Sequence, residues 1–243
     1  MPAPHGPLRD YYEQESDRHD WVRDLFDRTA GDYDRVEHAM ALGSGSWYRR
    51  RALARAGLEP GMRVLDLGVG TGLTAREAAR LAGASGHVTG VDPSSGMLAR
   101  AHVPAGIELM LGRAESIPLG EQSVDFISMG YALRHVSDLS RVFAEFRRVL
   151  RAGGGFCVLE ITPPDGRVGR ALLKSYMRGV VPLVAACIGR HRESPKLMRY
   201  YWDTIEACVS PGAILATIRE AGFVDVRRSV TLGIFSEYCG RRP

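Results

Sequence analysis

Nine residues, Val64-Leu65-Asp66-Leu67-Gly68-Val69-Gly70-Thr71-Gly72, constrain this chain more than any others. An apolar run leads straight into three glycines at alternate positions, and a helical pattern over 73–81 follows at once. That order predicts a buried strand, a tight turn and a helix N-terminus. Without side chains the glycines let the backbone approach a ligand, and the helix start offers it unpaired N–H groups. The turn alone is a weak signal. A dinucleotide fingerprint asks for G-x-G-x-x-G, yet position 73 is Leu, and no Lys follows as in a phosphate loop.

The next apolar run, His87-Val88-Thr89-Gly90-Val91-Asp92, sharpens the reading. It ends in a carboxylate about twenty residues after the glycines, where ribose hydroxyls find an acceptor. Turn and carboxylate together predict a nucleoside site with little demand for phosphate recognition. S-adenosylmethionine (SAM), which joins adenosine, a sulfonium and an amino acid, meets that description. The plain alternative is a strand-turn-helix unit with an incidental Asp.

Strands and helices alternate from there. Strands are predicted over 63–67, 88–92, 107–111, 124–129 and 156–161, and helices over 71–81, 94–101 and 138–151. Gly153-Gly154-Gly155 reads as a turn into the fifth strand, and runs at 224–230 and 232–239 as a closing hairpin. The fold class is therefore α/β: a Rossmann-like, doubly wound, mostly parallel seven-stranded sheet. Ligands of such sheets bind beyond the carboxyl ends of the strands, near Asp66, Gly68, Asp92, Gly130 and Glu160.

Residues 1–60 form an N-terminal helical arm and cap, and 61–243 the SAM-binding domain, with an inserted helical lid over about 163–210. Within the cap, 1–8 reads as a disordered arm and Trp21, Val22, Leu25 and Phe26 as one helix face. Gly31-Asp32-Tyr33-Asp34 reads as punctuation, before a second helical region over 36–56 broken near Gly43-Ser44-Gly45. The lid holds eleven uncharged residues, 179–189, flanked by Lys174, Arg178, Arg190, His191 and Arg192. No apolar run reaches the roughly 20 residues that span a bilayer. The segment is either a buried cap helix or an apolar lid over a greasy substrate, resting on a membrane surface.

The charge balance, 32 basic against 28 acidic residues, gives no case for nucleic acid. The runs Arg49-Arg50-Arg51 and Arg147-Arg148 read as solvated helix faces. Four isolated cysteines without a C-x-x-C indicate neither zinc nor disulfides and suit a reducing cytoplasm. No secretory signal region opens the chain. A homodimer is compatible with the sequence.

With these residues in view, the chain resembles a class I SAM-dependent methyltransferase. More narrowly, it resembles the ubiquinone/menaquinone-biosynthesis C-methyltransferase family. Residues 64–72, Asp92 with Met97-Leu98, Arg113-Ala114-Glu115 and Gly130-Tyr-Ala-Leu-Arg134-His135 carry the resemblance. Tyr33-Asp34, Leu150-Arg-Ala-Gly-Gly154, Leu159-Glu160 and Ala221-Gly222-Phe223 extend it to nearly the whole chain after residue 20. It implies that Gly68, Gly70 and Thr71 face the methionine part of SAM and that Asp92 holds the ribose. Met97 and Ala114 would meet the adenine, Gly130 the sulfonium, and Tyr33 would close from the cap. The family commonly has Asn or Asp at Arg113, Asn-Asp at Glu37-His38, His-Arg at Gly45-Ser46 and Leu-Arg-Asn at 133–135. Most departures thus fall on segments expected to face the acceptor.

Methyl transfer is an in-line displacement, for which a protein chiefly holds the partners together and excludes water. A ring carbon becomes a better nucleophile once a phenol proton is removed, so a base helps. His135 is the candidate base and Arg134 the candidate stabiliser of the phenolate. His38 and Tyr131 rank second. Tyr200 and Trp202 are candidates to line an acceptor pocket, and Glu160 to orient a substrate hydroxyl. No carboxylate cluster suggests a metal. The expected reaction is C-methylation of a small hydroxylated aromatic ring, such as a prenylated quinol, leaving S-adenosylhomocysteine. The alternatives are O- or N-methylation of a phenolic or amine secondary metabolite, or a non-catalytic SAM-binding subunit or regulator.

Overall fold

A computed structural model describes residues 3–14, 17–41 and 43–243. Seven strands form one sheet in the order β3-β2-β1-β4-β5-β7-β6. They are β1 (Arg63–Leu67), β2 (His87–Asp92), β3 (Ile107–Leu111), β4 (Val124–Gly130), β5 (Leu150–Ile161), β6 (Val224–Thr231) and β7 (Phe235–Arg241). Strands β1 to β5 run parallel; β7 is antiparallel to both β5 and β6. The chain leaves β1 towards β2 and β3, then crosses back to β4 on the other side of β1. The crevice of a doubly wound sheet opens at that reversal. Leu67 pairs with Met129, so the next residues, Gly68 and Gly130, stand side by side at its mouth.

Helices α3 (Leu73–Ala82) and α2 (Gly45–Arg55) cover one face, burying Ala52, Leu53, Ala75 and Ala78. Helices α5 (Leu139–Val149) and α9 (Pro211–Glu220) cover the other. In α5, Leu139, Val142, Phe143, Phe146 and Val149 recur at helical spacing and all are buried. The Asp138 side chain caps this helix, accepting from the N–H groups of Ser140 and Arg141. The short α4 (Ser95–Leu98) replaces the longer helix expected over 94–101.

A third core joins α1 (Arg18–Met40), α7 (Val181–Ile188) and α8 (Ser194–Ala207). Here the structure corrects the sequence reading. Helix α1 runs unbroken through Gly31-Asp32-Tyr33-Asp34. Gly31 permits a close approach rather than a turn: a Cβ there would lie 2.9 Å from His191 Nε2. Asp32 is buried and accepts from the N–H groups of Arg190 and His191, each at 2.7 Å, and from Ser194 Oγ at 2.8 Å. Burial alone would raise its pKa; these bonds prevail and hold it at about 2. The arm also docks. Pro4 and His5 are buried, and the Pro4 carbonyl accepts from Val209 N at 2.7 Å. Met1 and Pro2 lie outside the described residues. The glycines at 153–155 belong to an irregular start of β5, beside a register shift against β4.

The lid holds a longer helix than its apolar run suggested. Helix α6 (Arg167–Ser175), a π-helical turn (Tyr176–Val180) and α7 are continuous over Arg167–Ile188. At 22 residues, with mean hydropathy 1.4 in its best window, it is long and apolar enough to cross a membrane, and 22% of that window is buried.

Candidate active site

The turn after β1 is built for backbone contact. Gly68, Gly70 and Gly72 have φ of +65°, +53° and +93°, in the left-handed region that other residues enter at a cost. The N–H groups of Gly68 and Val69 donate to the Val91 carbonyl, locking the turn to β2. The nearest atom that a Cβ on Gly70 would meet is Met97 Cε, at 4.0 Å, so the face of Gly70 is left clear. Asp92 closes the far side. One carboxylate oxygen accepts from Gly70 N and the other from Ser94 N, both at 2.8 Å. Burial, aided by the charge of Asp27, raises its pKa to about 6 against those bonds.

A cleft opens above this turn. Its β3 side is lined by Met97, Gly112, Arg113, Ala114 and Glu115, and its cap side by His19, Val22, Arg23, Phe26 and Tyr33. Gly130, Tyr131, Ala132, His135, Arg49 and Tyr201 complete it. The clear face of Gly70 and a buried carboxylate with spare acceptor capacity fit a nucleoside lying across β1 and β2. When bound, SAM supplies an electrophilic methyl group. Asp92 would hold its ribose, the glycine turn its amino-acid part, and Met97 and Ala114 its base.

The cleft gathers Tyr33, Gly68, Gly70, Thr71, Asp92, Met97, Ala114, Gly130, Tyr131 and His135 from the sequence candidates. Thr71 Oγ1 is also hydrogen-bonded to the Asp34 carboxylate, tying the turn to α1. The other candidates do not line it. Asp66 is fully buried beneath the turn, where it accepts from Ser128 Oγ at 2.6 Å, and burial raises its pKa to about 7. His38 is exposed on the last turn of α1. Trp202 is buried in the cap core with its indole N–H donating to Glu206. Tyr200 lies behind His135, its ring stacked at 5.5 Å.

Arg134 and Glu160 are engaged with each other. Arg134 is 1% exposed; its Nη1 meets Glu160 Oε2 at 2.5 Å and its Nε donates to Thr204 Oγ1 at 3.1 Å. Its guanidinium lies 4.5 Å from the centre of the Tyr201 ring. The expected phenolate stabiliser therefore sits one layer back, bracing the tyrosine that faces the cleft. The Tyr201 and Tyr33 hydroxyls are 2.6 Å apart, joining α8 to α1 across the opening.

His135 stands in a 3-10 turn (Leu133–His135), ringed by Phe26, Tyr200 and Tyr201 at 5.4–5.6 Å. Both ring nitrogens are buried and lack a hydrogen-bond partner among the described residues. Burial, with the charges of Arg134, Arg18 and His5, lowers its pKa well below 6.5. The imidazole is thus neutral at physiological pH, with one nitrogen free to accept and one to donate. It is a weaker base than its unperturbed titration range implied.

Tyr201 and Arg49 line the cleft where their neighbours in sequence do not. Tyr201 lies between the two neighbours with pocket or packing interest, and only the facing of α8 selects it. Arg49, expected on a solvated helix face with its two neighbours, is instead 3% exposed and turned inward, whereas Arg50 and Arg51 are exposed.

The fold recurs in solved structures. A SAM-dependent methyltransferase from Aquifex aeolicus superposes with a TM-score of 0.62 at 18% identity, over 86% of this chain and 98% of its own. Phosphoethanolamine N-methyltransferase 2 of Haemonchus contortus, solved with SAM, gives 0.61 at 17% identity, over 100% of this chain and 61% of its own. In sequence, the demethylmenaquinone methyltransferase of Symbiobacterium thermophilum is 33% identical, over 86% of this chain and 87% of its own. The ubiquinone/menaquinone biosynthesis C-methyltransferase UbiE of Syntrophotalea carbinolica is 34% identical, over 91% and 94%. Fold, cleft and relatives define a SAM-dependent methyltransferase with a Rossmann-like sheet. The model of the ubiE/COQ5 methyltransferase family matches residues 12–242, and the chain belongs to that family.

Proposed function

We propose that this enzyme methylates a ring carbon of a hydroxylated aromatic acceptor, a prenylated quinol on the way to menaquinone or ubiquinone. The observation that carries the reading is the acceptor end of the cleft. Aromatic walls from Phe26, Tyr131 and Tyr201 accompany an uncharged His135 whose nitrogens are free for a ring hydroxyl. Relatives named for menaquinone and ubiquinone methylation match most of the chain. Incubation with labelled SAM and demethylmenaquinol is expected to give a carbon-methylated product by mass spectrometry. SAM binding without that product refutes the quinol assignment; methyl on oxygen or nitrogen moves the acceptor to another class.

We propose further that the enzyme works at a membrane surface. Val168, Leu172, Tyr176, Val180 and Leu183 follow at spacings of four, four, four and three along Arg167–Ile188, and each is exposed. Residues 167–192 carry six Arg or Lys and no Asp or Glu. An apolar stripe within a basic frame suits an anionic bilayer surface. The inner face of the same helix packs Met177, Val181 and Ala185 beside Tyr201, so the stripe lies close to the acceptor end. Flotation with phosphatidylglycerol vesicles is expected for the native protein and lost in Leu172→Glu with Leu183→Glu. Equal flotation of both proteins, or a dimer in sedimentation that those substitutions dissolve, assigns the stripe otherwise.

A further inference from the structure

Arg49 has a setting that neither packing nor SAM binding explains. It is 3% exposed on α2 and lines the cleft beside Tyr131, with its guanidinium 5.4 Å from that ring's centre. Its Nη2 meets Glu37 at 2.8 Å, while its Nε is buried with no hydrogen-bond partner among the described residues. Space is kept for this pair. A Cβ on Gly45 would lie 2.6 Å from Glu37 Oε1 and 2.7 Å from Arg49 Nη1.

The other cations near the cleft carry partners of their own, although Arg113 Nε and Arg134 Nη2, like Arg49 Nε, are buried with no hydrogen-bond partner among the described residues. Arg113 pairs with Glu115 and acts on His19, as does Arg23, which pairs with Asp20 and Asp24 on α1. Arg134 is committed to Glu160 behind Tyr201. His135 is neutral. Facing Arg49 are Glu37 and Tyr33 from α1, Tyr131 just after β4 and Asp66 from β1, and Tyr131 in turn faces Arg134 and Glu160. Glu37 keeps a side-chain exposure of 21%, so solvent screens its hold on the guanidinium. A buried arginine donor left unpaired at the mouth of an apolar cleft awaits an acceptor atom.

We propose that Arg49 holds the acceptor's ring oxygen as its anion, as a specificity-determining and catalytic residue of the reaction proposed above. The phenol O–H bond breaks, its proton passes to water, and the electron pair stays on oxygen, shared into the ring. A fixed cation in a low-dielectric site favours that anion, and the ring carbon gains the electron density that methylation needs. Arginine is suited to this because it stays charged throughout.

The test reads the bound acceptor directly, so it does not depend on turnover or on the quinol assignment. The probe is 4-nitrophenol, whose absorbance reports its ionisation, bound to the full chain with S-adenosylhomocysteine. Its midpoint is expected to fall by at least one pH unit on the native protein, a tenfold shift in the ionised ratio. Arg49→Gln should return it to the free value, and Arg49→Lys should keep most of the shift. Thermal melting and SAM calorimetry on each variant establish that the fold and donor site persist. An unshifted midpoint on the native protein, or equal shifts in the native protein and Arg49→Gln, overturns the proposal. Failure to methylate demethylmenaquinol with the nitrophenol shift intact would instead remove only the quinol reading.

Discussion

The two halves of the cleft are made in different ways. On the donor half, one turn and the next strand supply the surface: Gly68, Gly70 and Asp92 lie within 25 residues and present mostly backbone. On the half proposed to take the acceptor, Tyr33, Arg49, His135 and Tyr201 come from α1, α2, the turn after β4 and α8, and present side chains. A backbone site at a sheet's switch point can be kept whatever the acceptor. A side-chain site assembled from four elements can be respecified one residue at a time. Substitutions that separate donor binding from acceptor handling therefore test this division.

The largest expected effect is on the donor half. Asp92→Ala removes a charged acceptor and also frees Gly70 N. SAM affinity should fall by roughly 1.5–3 kcal/mol, or about 10- to 100-fold, while acceptor KM changes little. Calorimetry showing unchanged affinity would falsify the placement of the ribose. The same group predicts a pH dependence. With the Asp92 pKa raised to about 6, SAM affinity should weaken as pH falls through that value and the carboxylate takes a proton. Asp66 acts on stability instead. Its folded pKa of about 7 exceeds the unfolded value, so its protonated form stabilises the fold at low pH, and that contribution is lost as pH rises through 7. Asp66→Asn should flatten the pH dependence of stability between pH 5 and 8, by roughly 1–3 kcal/mol at the upper end, read by thermal melting.

On the acceptor half, His135→Ala should leave SAM affinity unaltered and lower kcat about tenfold, below the usual 100-fold or more for a positioned base. The smaller loss follows from its low pKa: a neutral imidazole here orients a hydroxyl better than it takes a proton. A loss of a thousandfold, with an acidic limb that vanishes in the variant, would restore the role of general base. The same burial shapes stability. Below pH 6.5 the unfolded chain binds a proton that folded His135 refuses, so its contribution penalises the fold as pH falls.

How much of this could be read from the sequence follows the same division. The glycine turn, the position of Asp92 at the end of β2, the seven strands and the closing hairpin were legible because each is written in neighbouring residues, as short apolar runs or a fixed spacing. The cap was not. Gly31 looked like a break because glycine often marks one; the approach of His191 that it permits comes from 160 residues downstream. Arg134 and Glu160 looked like site residues because both fall near strand ends, but each satisfies the other's charge away from the cleft. Arg49 and Tyr201 were hidden inside runs of like residues, where only helix phase, set by distant packing, decides which member faces inward.

The smallest effect should come from the contact that closes the two halves. The Tyr33 and Tyr201 hydroxyls bridge α1 and α8 at 2.6 Å, and Arg134 lies against the Tyr201 ring. Burial raises the phenol pKa of both, so neither ionises near neutrality and the bridge is a neutral hydrogen bond. Such a bond contributes about 1 kcal/mol. Tyr201→Phe keeps the ring under Arg134 and removes only the hydroxyl, so melting should shift by a few degrees at most. If the bridge merely staples the cap, SAM affinity and acceptor KM should change together, each by no more than about fivefold, because α1 borders both halves. If the hydroxyl touches the acceptor, KM for the acceptor should rise while SAM affinity holds. That split assigns Tyr201 to the acceptor half; a joint shift assigns it to the cap, and the boundary between the halves then runs through Tyr33.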